Sequence, residues 1–312
     1  MSRSSRVGFT LIELLVVITV IGMLMAMLLP AVGAVRGQMQ RLTCLNNQHQ
    51  IAVVIFDYAS KNKAFPGYRQ PTILNSDAKN NRNGSWVVQL LPGLGQGPLY
   101  DKWRDIKVTP PPSQYMEVLI CPSNPPENIS TAALSYVVNC GTLDDDKSMP
   151  VETTANGLFF NLSDQTTTTR SSRISTQAGI IDGADKTLMI SENVNTNTSR
   201  GTNHWGDLNP VEADFGFVWW DKEDTQQYRK INHGKVNSTT GSLPKPGDQI
   251  RPSSTHTGGV NVAFADTHTM FLRDDIDYWV YQQLCTPDGN HATVIAKDAS
   301  SKVYIIDAKD YQ

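Results

Sequence analysis

Glu13 is the only charged side chain between Phe9 and Val35, and none at all occurs in the 22 residues from Leu14 to Val35. A carboxylate set in an apolar helix costs several kcal/mol unless it is neutralised or paired, so its presence points to a use. The residues ahead of it suggest the partner. A cut between Gly8 and Phe9 would create an amino group four residues from Glu13, one helical turn away. That ammonium could meet Glu13 of its own chain or of a neighbour. The chemistry implied is charge pairing in an oily medium.

Far downstream, His256, Asp266 and His268 have the types of metal ligands, or of a base with its orienting carboxylate. No H-E-x-x-H, C-x-x-C or G-x-S-x-G supports that use. The preferred reading is a structural hairpin, with His256 and Asp266 hydrogen-bonding loop backbone and no catalytic residue. Gly258-Gly259 permits close backbone approach or a bulge. Val260, Val262 and Phe264 then alternate with Asn261, Ala263 and Ala265 as a half-buried strand, and Thr269 to Leu272 returns beside it.

Other chemistry is thinner. The acids Asp144-Asp145-Asp146 and Asp274-Asp275-Asp277 raise calcium, but neither group has the D-x-D-x-D-G spacing of an oxygen-rich loop. Solvated acids and no cofactor are the expectation. Four cysteines allow three complete pairings; Cys121 and Cys140, flanking an 18-residue loop, are the expected disulfide, and Cys44 reads as a small buried apolar side chain. The run Phe215-Gly216-Phe217-Val218-Trp219-Trp220, with Trp205 upstream, is either a flat binding face or a core strand covered on both sides, the second being preferred. His49 is given no role.

The elements that must position these residues begin with the apolar segment. Its 22 uncharged residues would make a helix roughly 33 Å long, close to the ~30 Å hydrocarbon core of a bilayer. A single segment in lipid satisfies its backbone only as a helix. Arg3 and Arg6, with no acidic residue before Glu13, keep the N-terminus cytoplasmic and send the remainder outward. Beyond it, Val35, Met39, Leu42, Leu45, Ala52, Phe56 and Ala59 recur at steps of three, four or seven, so residues 36–62 continue the helix with one apolar stripe laid on the following domain. From Pro66 on, prolines break any long helix. Strand-like runs fall at residues 86–91, 116–120, 135–138, 157–160, 187–191, 215–220 and 260–265. Net charge is −3 with nothing strongly basic outside residues 1–8, which argues against nucleic acid.

Gly8-Phe9-Thr10-Leu11-Ile12-Glu13-Leu14 resembles the class III signal of type IV pilins and type II secretion pseudopilins. The resemblance implies a leader over residues 1–8, cut by prepilin peptidase after Gly8, methylation of Phe9, and pairing of Glu13 with a neighbour's N-terminus during assembly. It also places Pro30 where such chains carry a helix-kinking proline. Further stretches are similar to landmarks of a pseudopilin-like group with a C-terminal domain of unknown function. They are Cys44-Leu45-Asn46-Asn47-Gln48, Ser85-Trp86, Cys121-Pro122-Ser123, Ser135-Tyr136, Ser191-Glu192-Asn193, and His256 followed after nine residues by Asp266. Thr267 stands where the group has Gly after that Asp, which puts the turn type in doubt.

The expected architecture is α+β and pilin-like. A transmembrane helix (9–35) and its amphipathic continuation (36–62) pack on a large antiparallel β-rich domain with long loops (63–312). The implied role is a non-enzymatic filament subunit at the bacterial inner membrane. Its partners would be the bilayer, the peptidase, an inner-membrane assembly platform, and copies of itself or other pilin-like subunits. The rivals are a tethered extracytoplasmic binding module and a tethered metal-dependent or His/Asp hydrolase.

Overall fold

The structure, a computed structural model, describes residues 11–72, 82–126, 132–142, 153–163, 176–194, 204–208, 210, 215–219, 231–232 and 251–292. Gly8, Phe9 and Asp144 to Asp146 lie outside them. One helix, α1 (Leu11–Asn62), runs unbroken through Pro30 and through both expected halves. The apolar side chains of its first part are uncovered among the described residues: Leu14, Ile18, Met25 and Leu29 are all exposed. That is the surface a lipid-embedded segment presents.

The second half of α1 lies on the globular domain, through a face that includes Ala52 and Ala59 of the expected apolar stripe but is turned away from most of its other members. Cys44, Gln48, Ile51, Ala52, Ile55 and Ala59 are buried, whereas Val35, Met39, Leu42 and Phe56 face outward. The reason is two amides. Asn47 Nδ2 donates to the Ile120 carbonyl (3.1 Å) and Gln48 Nε2 to that of Asn261 (3.0 Å), so polar side chains belong to the buried face. Counting apolar residues alone rotates the stripe away from them.

The surface under α1 is a five-stranded sheet of β3 (Tyr136–Gly141), β4 (Leu188–Glu192), β5 (Gly216–Val218), β6 (Gly259–Phe264) and β7 (Thr269–Arg273), ordered β5-β3-β4-β6-β7. A small separate ribbon joins β1 (Arg69–Pro71) and β2 (Asn83–Ser85). The large sheet is mixed and not purely antiparallel, because β5 joins β3 in parallel. Successive side chains point to opposite faces. Tyr136, Val138, Ile190 and Ala263 pack with Ile51 and Ile55 of α1. Val137, Val260, Val262 and Phe264 pack with Tyr281 and Leu284 of α4 (Tyr278–Cys285) on the other side. With both faces covered, β6 is buried along its whole length and not half-buried as its alternation suggests.

Three of the runs with strand-like composition are not strands. Trp86–Leu90 forms helix α2, Glu117–Leu119 a single 3-10 turn, and residues 157–160 are irregular. Every residue of α2 is buried, so no period shows which backbone it adopts. A third helix, α3 (Gly97–Arg104), follows a turn and carries Pro98 in its first turn, where a missing N–H costs nothing. The aromatic run is core: Phe215, Phe217, Trp219 and Trp205 are all at most 1% exposed.

The β6–β7 hairpin closes as expected, and its turn settles the question raised by Thr267. That residue adopts φ +77°. The left-handed conformation costs a non-glycine residue about 1–2 kcal/mol. Neighbours hold it there: Thr267 N–H donates to the Phe264 carbonyl (2.9 Å), and the Asp266 carboxylate accepts from the His268 N–H (3.1 Å). The Thr267 carbonyl meets His49 Nδ1 of α1 at 2.9 Å. His49, given no role from sequence, ties the helix to this turn.

Candidate functional site

Four of the separate landmark segments meet at one buried point. Cys44 comes from α1, Cys121 from the loop after the 3-10 turn, Glu192 from the end of β4, and His256 from the approach to β6. Their ligand-type atoms all lie within 4.8 Å of one another, and all four residues are buried. Local hydrogen bonds bring the segments together. Ser253 N–H donates to the Glu192 carbonyl (2.8 Å), Thr255 Oγ1 to that of Ser123 (3.0 Å), and Tyr136 Oη to that of Ile120 (3.4 Å).

Cys44 and Cys121 form a disulfide with Cα atoms 5.2 Å apart. The expected Cys121–Cys140 pairing is therefore corrected: Cys140 and Cys285 take part in no disulfide among the described residues, and both are buried. Proximity in sequence favoured the wrong partner because Cys140 is held in the sheet near the end of β3, while α1 brings Cys44 to the loop that carries Cys121. The bond spans 77 residues and fastens the long helix to the domain. In the loop-entropy account a closure of that size contributes about 4 kcal/mol. Burial pushes the Cys285 thiol far up, so it stays protonated.

Against the disulfide lie a buried acid and a buried imidazole. His256 Nε2 is 3.3 Å from Glu192 Oε1 and 3.6 Å from Cys121 Sγ. Asn261 clamps the carboxylate from its other side, the backbone N–H donating to Oε2 and the side-chain amide to Oε1, both at 3.0 Å. Burial, reinforced by the Glu192 charge, pushes the Tyr136 phenol far above its ordinary range, so it remains an O–H donor. A cleft of about 580 Å³ opens alongside, lined by Thr43 and Asn47 of α1 and by Tyr115, Glu117, Ile120 and Pro122.

The structure does not bring His256 and Asp266 together. They stand beyond opposite ends of β6, and Asp266 instead contacts His268 Nδ1 at 2.5 Å on the exposed turn. A His256–Asp266–His268 centre is thereby excluded as one site. The two glycines after His256 have clear work. Gly258 takes φ +84°, and a Cβ on Gly259 would lie 2.1 Å from the Leu272 carbonyl oxygen, the close backbone approach that the pair suggested. The second acidic group is engaged piecemeal. Asp274 accepts from Asn232, Asp275 pairs with Arg273, and Asp277 caps α4 through the Trp279 N–H. Reading the sequence missed Glu192 as His256's partner, although both lie in landmark segments.

Among the described residues α1 is the one helix long and apolar enough to span a membrane. Glu13 lies exposed in its first turn. Two family models match the sequence: a prokaryotic N-terminal methylation motif over residues 4–29, and a protein of unknown function (DUF1559) over residues 33–278. No curated protein and no solved structure matches. With the methylation motif at its head and the second match covering most of the remaining residues, the chain belongs to the DUF1559 family and carries the prepilin-type signal.

Proposed function

We propose that this protein is a non-enzymatic, prepilin-like subunit. Prepilin peptidase cuts it between Gly8 and Phe9, and it assembles with its own copies or other pilin-like chains into a pilus- or pseudopilus-like filament. The precursor sits in the inner membrane with its N-terminus inside, and an assembly platform there draws it out. The observation that supports assembly is the outward face of α1. Met39 and Leu42 are about 60% exposed, and Val53 and Phe56 more than 40%, on the half of the helix that lies beyond a 22-residue span. Lipid would not cover that stripe. Exposed apolar side chains of this kind on one side of a helix mark an interface, and other copies of the same helix offer matching ones.

In this mechanism the apolar helices associate side by side, and Glu13 meets an N-terminal ammonium created by cleavage. A buried charge pair of this type sets register more than it adds stability. The test is Leu42→Glu combined with Phe56→Glu. Both side chains point away from the domain, so folding and membrane insertion should be unchanged. Crosslinked oligomers and sheared filaments should fall by at least about tenfold, since burying one unpaired carboxylate costs more than about 1.4 kcal/mol. Undiminished assembly would instead favour a membrane-tethered binding module.

A further inference from the structure

We propose that Cys44, Cys121, Glu192 and His256 bind one zinc-class divalent cation in the dithiol state of the chain, and that the Cys44–Cys121 disulfide is the oxidised, metal-free form of the same site. Three observations carry this. The ligand set is complete, two sulfurs, one imidazole and one carboxylate, from four distant parts of the chain. Its spacing fits. Zinc–sulfur bonds of about 2.3 Å and zinc–nitrogen or –oxygen bonds of about 2.0–2.1 Å put tetrahedral ligand atoms roughly 3.3–3.8 Å apart. The observed separations are 3.3 Å from His256 Nε2 to Glu192 Oε1 and 3.6 Å from Cys121 Sγ to His256 Nε2.

The surroundings also suit a cation. Glu192 is 2% exposed and held in one orientation by two donors from Asn261, the kind of outer support that ligating carboxylates receive.

The chain is synthesised with free thiols, so the metal-binding state needs no reductant. Binding releases the two thiol protons and leaves two thiolates, one carboxylate and a neutral imidazole around the ion. Oxidation reverses it. A disulfide-bearing oxidant accepts two electrons from the two thiolates and two protons from water and leaves as a dithiol, the Cys44 and Cys121 sulfurs join, and the ion departs. The fastening of α1 to the domain is thus made first by metal and afterwards by a covalent bond.

The experiment uses the full chain in detergent micelles. A trialkylphosphine reduces the disulfide: the phosphine takes oxygen from one water, and that water's two protons end on the two sulfurs. Cobalt(II) is then titrated in as the probe. The expected result is one cobalt per chain, with thiolate-to-cobalt charge-transfer and intense tetrahedral d–d absorption, both abolished by zinc and absent from the oxidised chain. Glu192→Gln and His256→Gln should each weaken binding by at least about 100-fold, beyond the roughly 10–100-fold typical of losing an outer-shell partner. The Cys140→Ala/Cys285→Ala chain should bind as the wild type does. Absence of the thiolate band from the reduced wild type overturns the proposal. So does a band that survives in Cys44→Ser/Cys121→Ser, or an affinity indifferent to both His256→Gln and Glu192→Gln.

Discussion

A Gly259→Ala chain is expected to lose about 2–4 kcal/mol of stability, the largest effect of any single methyl group added to the hairpin. The added carbon would sit 2.1 Å from the Leu272 carbonyl oxygen and 2.9 Å from the Phe271 ring. The oxygen is backbone and cannot swing aside, so β6 and β7 must part where Gly259 pairs with Arg273. The damage reaches further than the hairpin. Phe271 lies under the Arg41 guanidinium at 4.3 Å, and β6 carries the Asn261 carbonyl that receives Gln48. Opening this pair therefore loosens α1 as well. Denaturant unfolding of the micelle-held chain should show the midpoint falling, with hydrogen exchange accelerated along β7. An unchanged midpoint would mean that the strands do not approach as closely as described.

How much of this was legible beforehand depends on whether one stretch of chain decides the outcome. The membrane helix was legible because a long uniform apolar run in lipid has one backbone solution. The β6–β7 hairpin was legible because period-two alternation and paired glycines are local signals. The face of α1 was not, since Asn47 and Gln48 are buried by carbonyls more than seventy residues away, and no count of apolar residues reveals those. The disulfide was misassigned for a related reason: loop length favours the nearest cysteine, whereas packing chose the one on α1. The Cys44, Cys121, Glu192 and His256 cluster was visible only in fragments. Each residue stood in a segment already singled out, yet nothing in their spacing joins positions spread over more than two hundred residues.

The second large effect concerns assembly. A Glu13→Leu chain is expected to insert normally, because leucine is better suited to lipid than a carboxylate. Assembled oligomers should nevertheless disappear. Removing one partner of a buried pair leaves the other charge, here an N-terminal ammonium, uncompensated in apolar surroundings. That costs about 3–5 kcal/mol, or two to four orders of magnitude in an association constant. Shearing and crosslinking of membranes bearing the variant should yield monomers, while the domain beyond residue 62 keeps its fold and its Cys121 bond to Cys44 of α1. Wild-type levels of filament from Glu13→Leu would remove charge pairing from the mechanism, leaving the exposed stripe of α1 to account for association alone.

Both the proposed pairing and the proposed filament require an amino group that would exist only once residues 1–8 were removed. The most direct measurement is therefore the mass of the native protein's N-terminal peptide, taken from the membrane or filament fraction. Residues 1–8 should be absent and the peptide should begin at a singly methylated Phe9; a native chain that begins at Met1 would contradict the account.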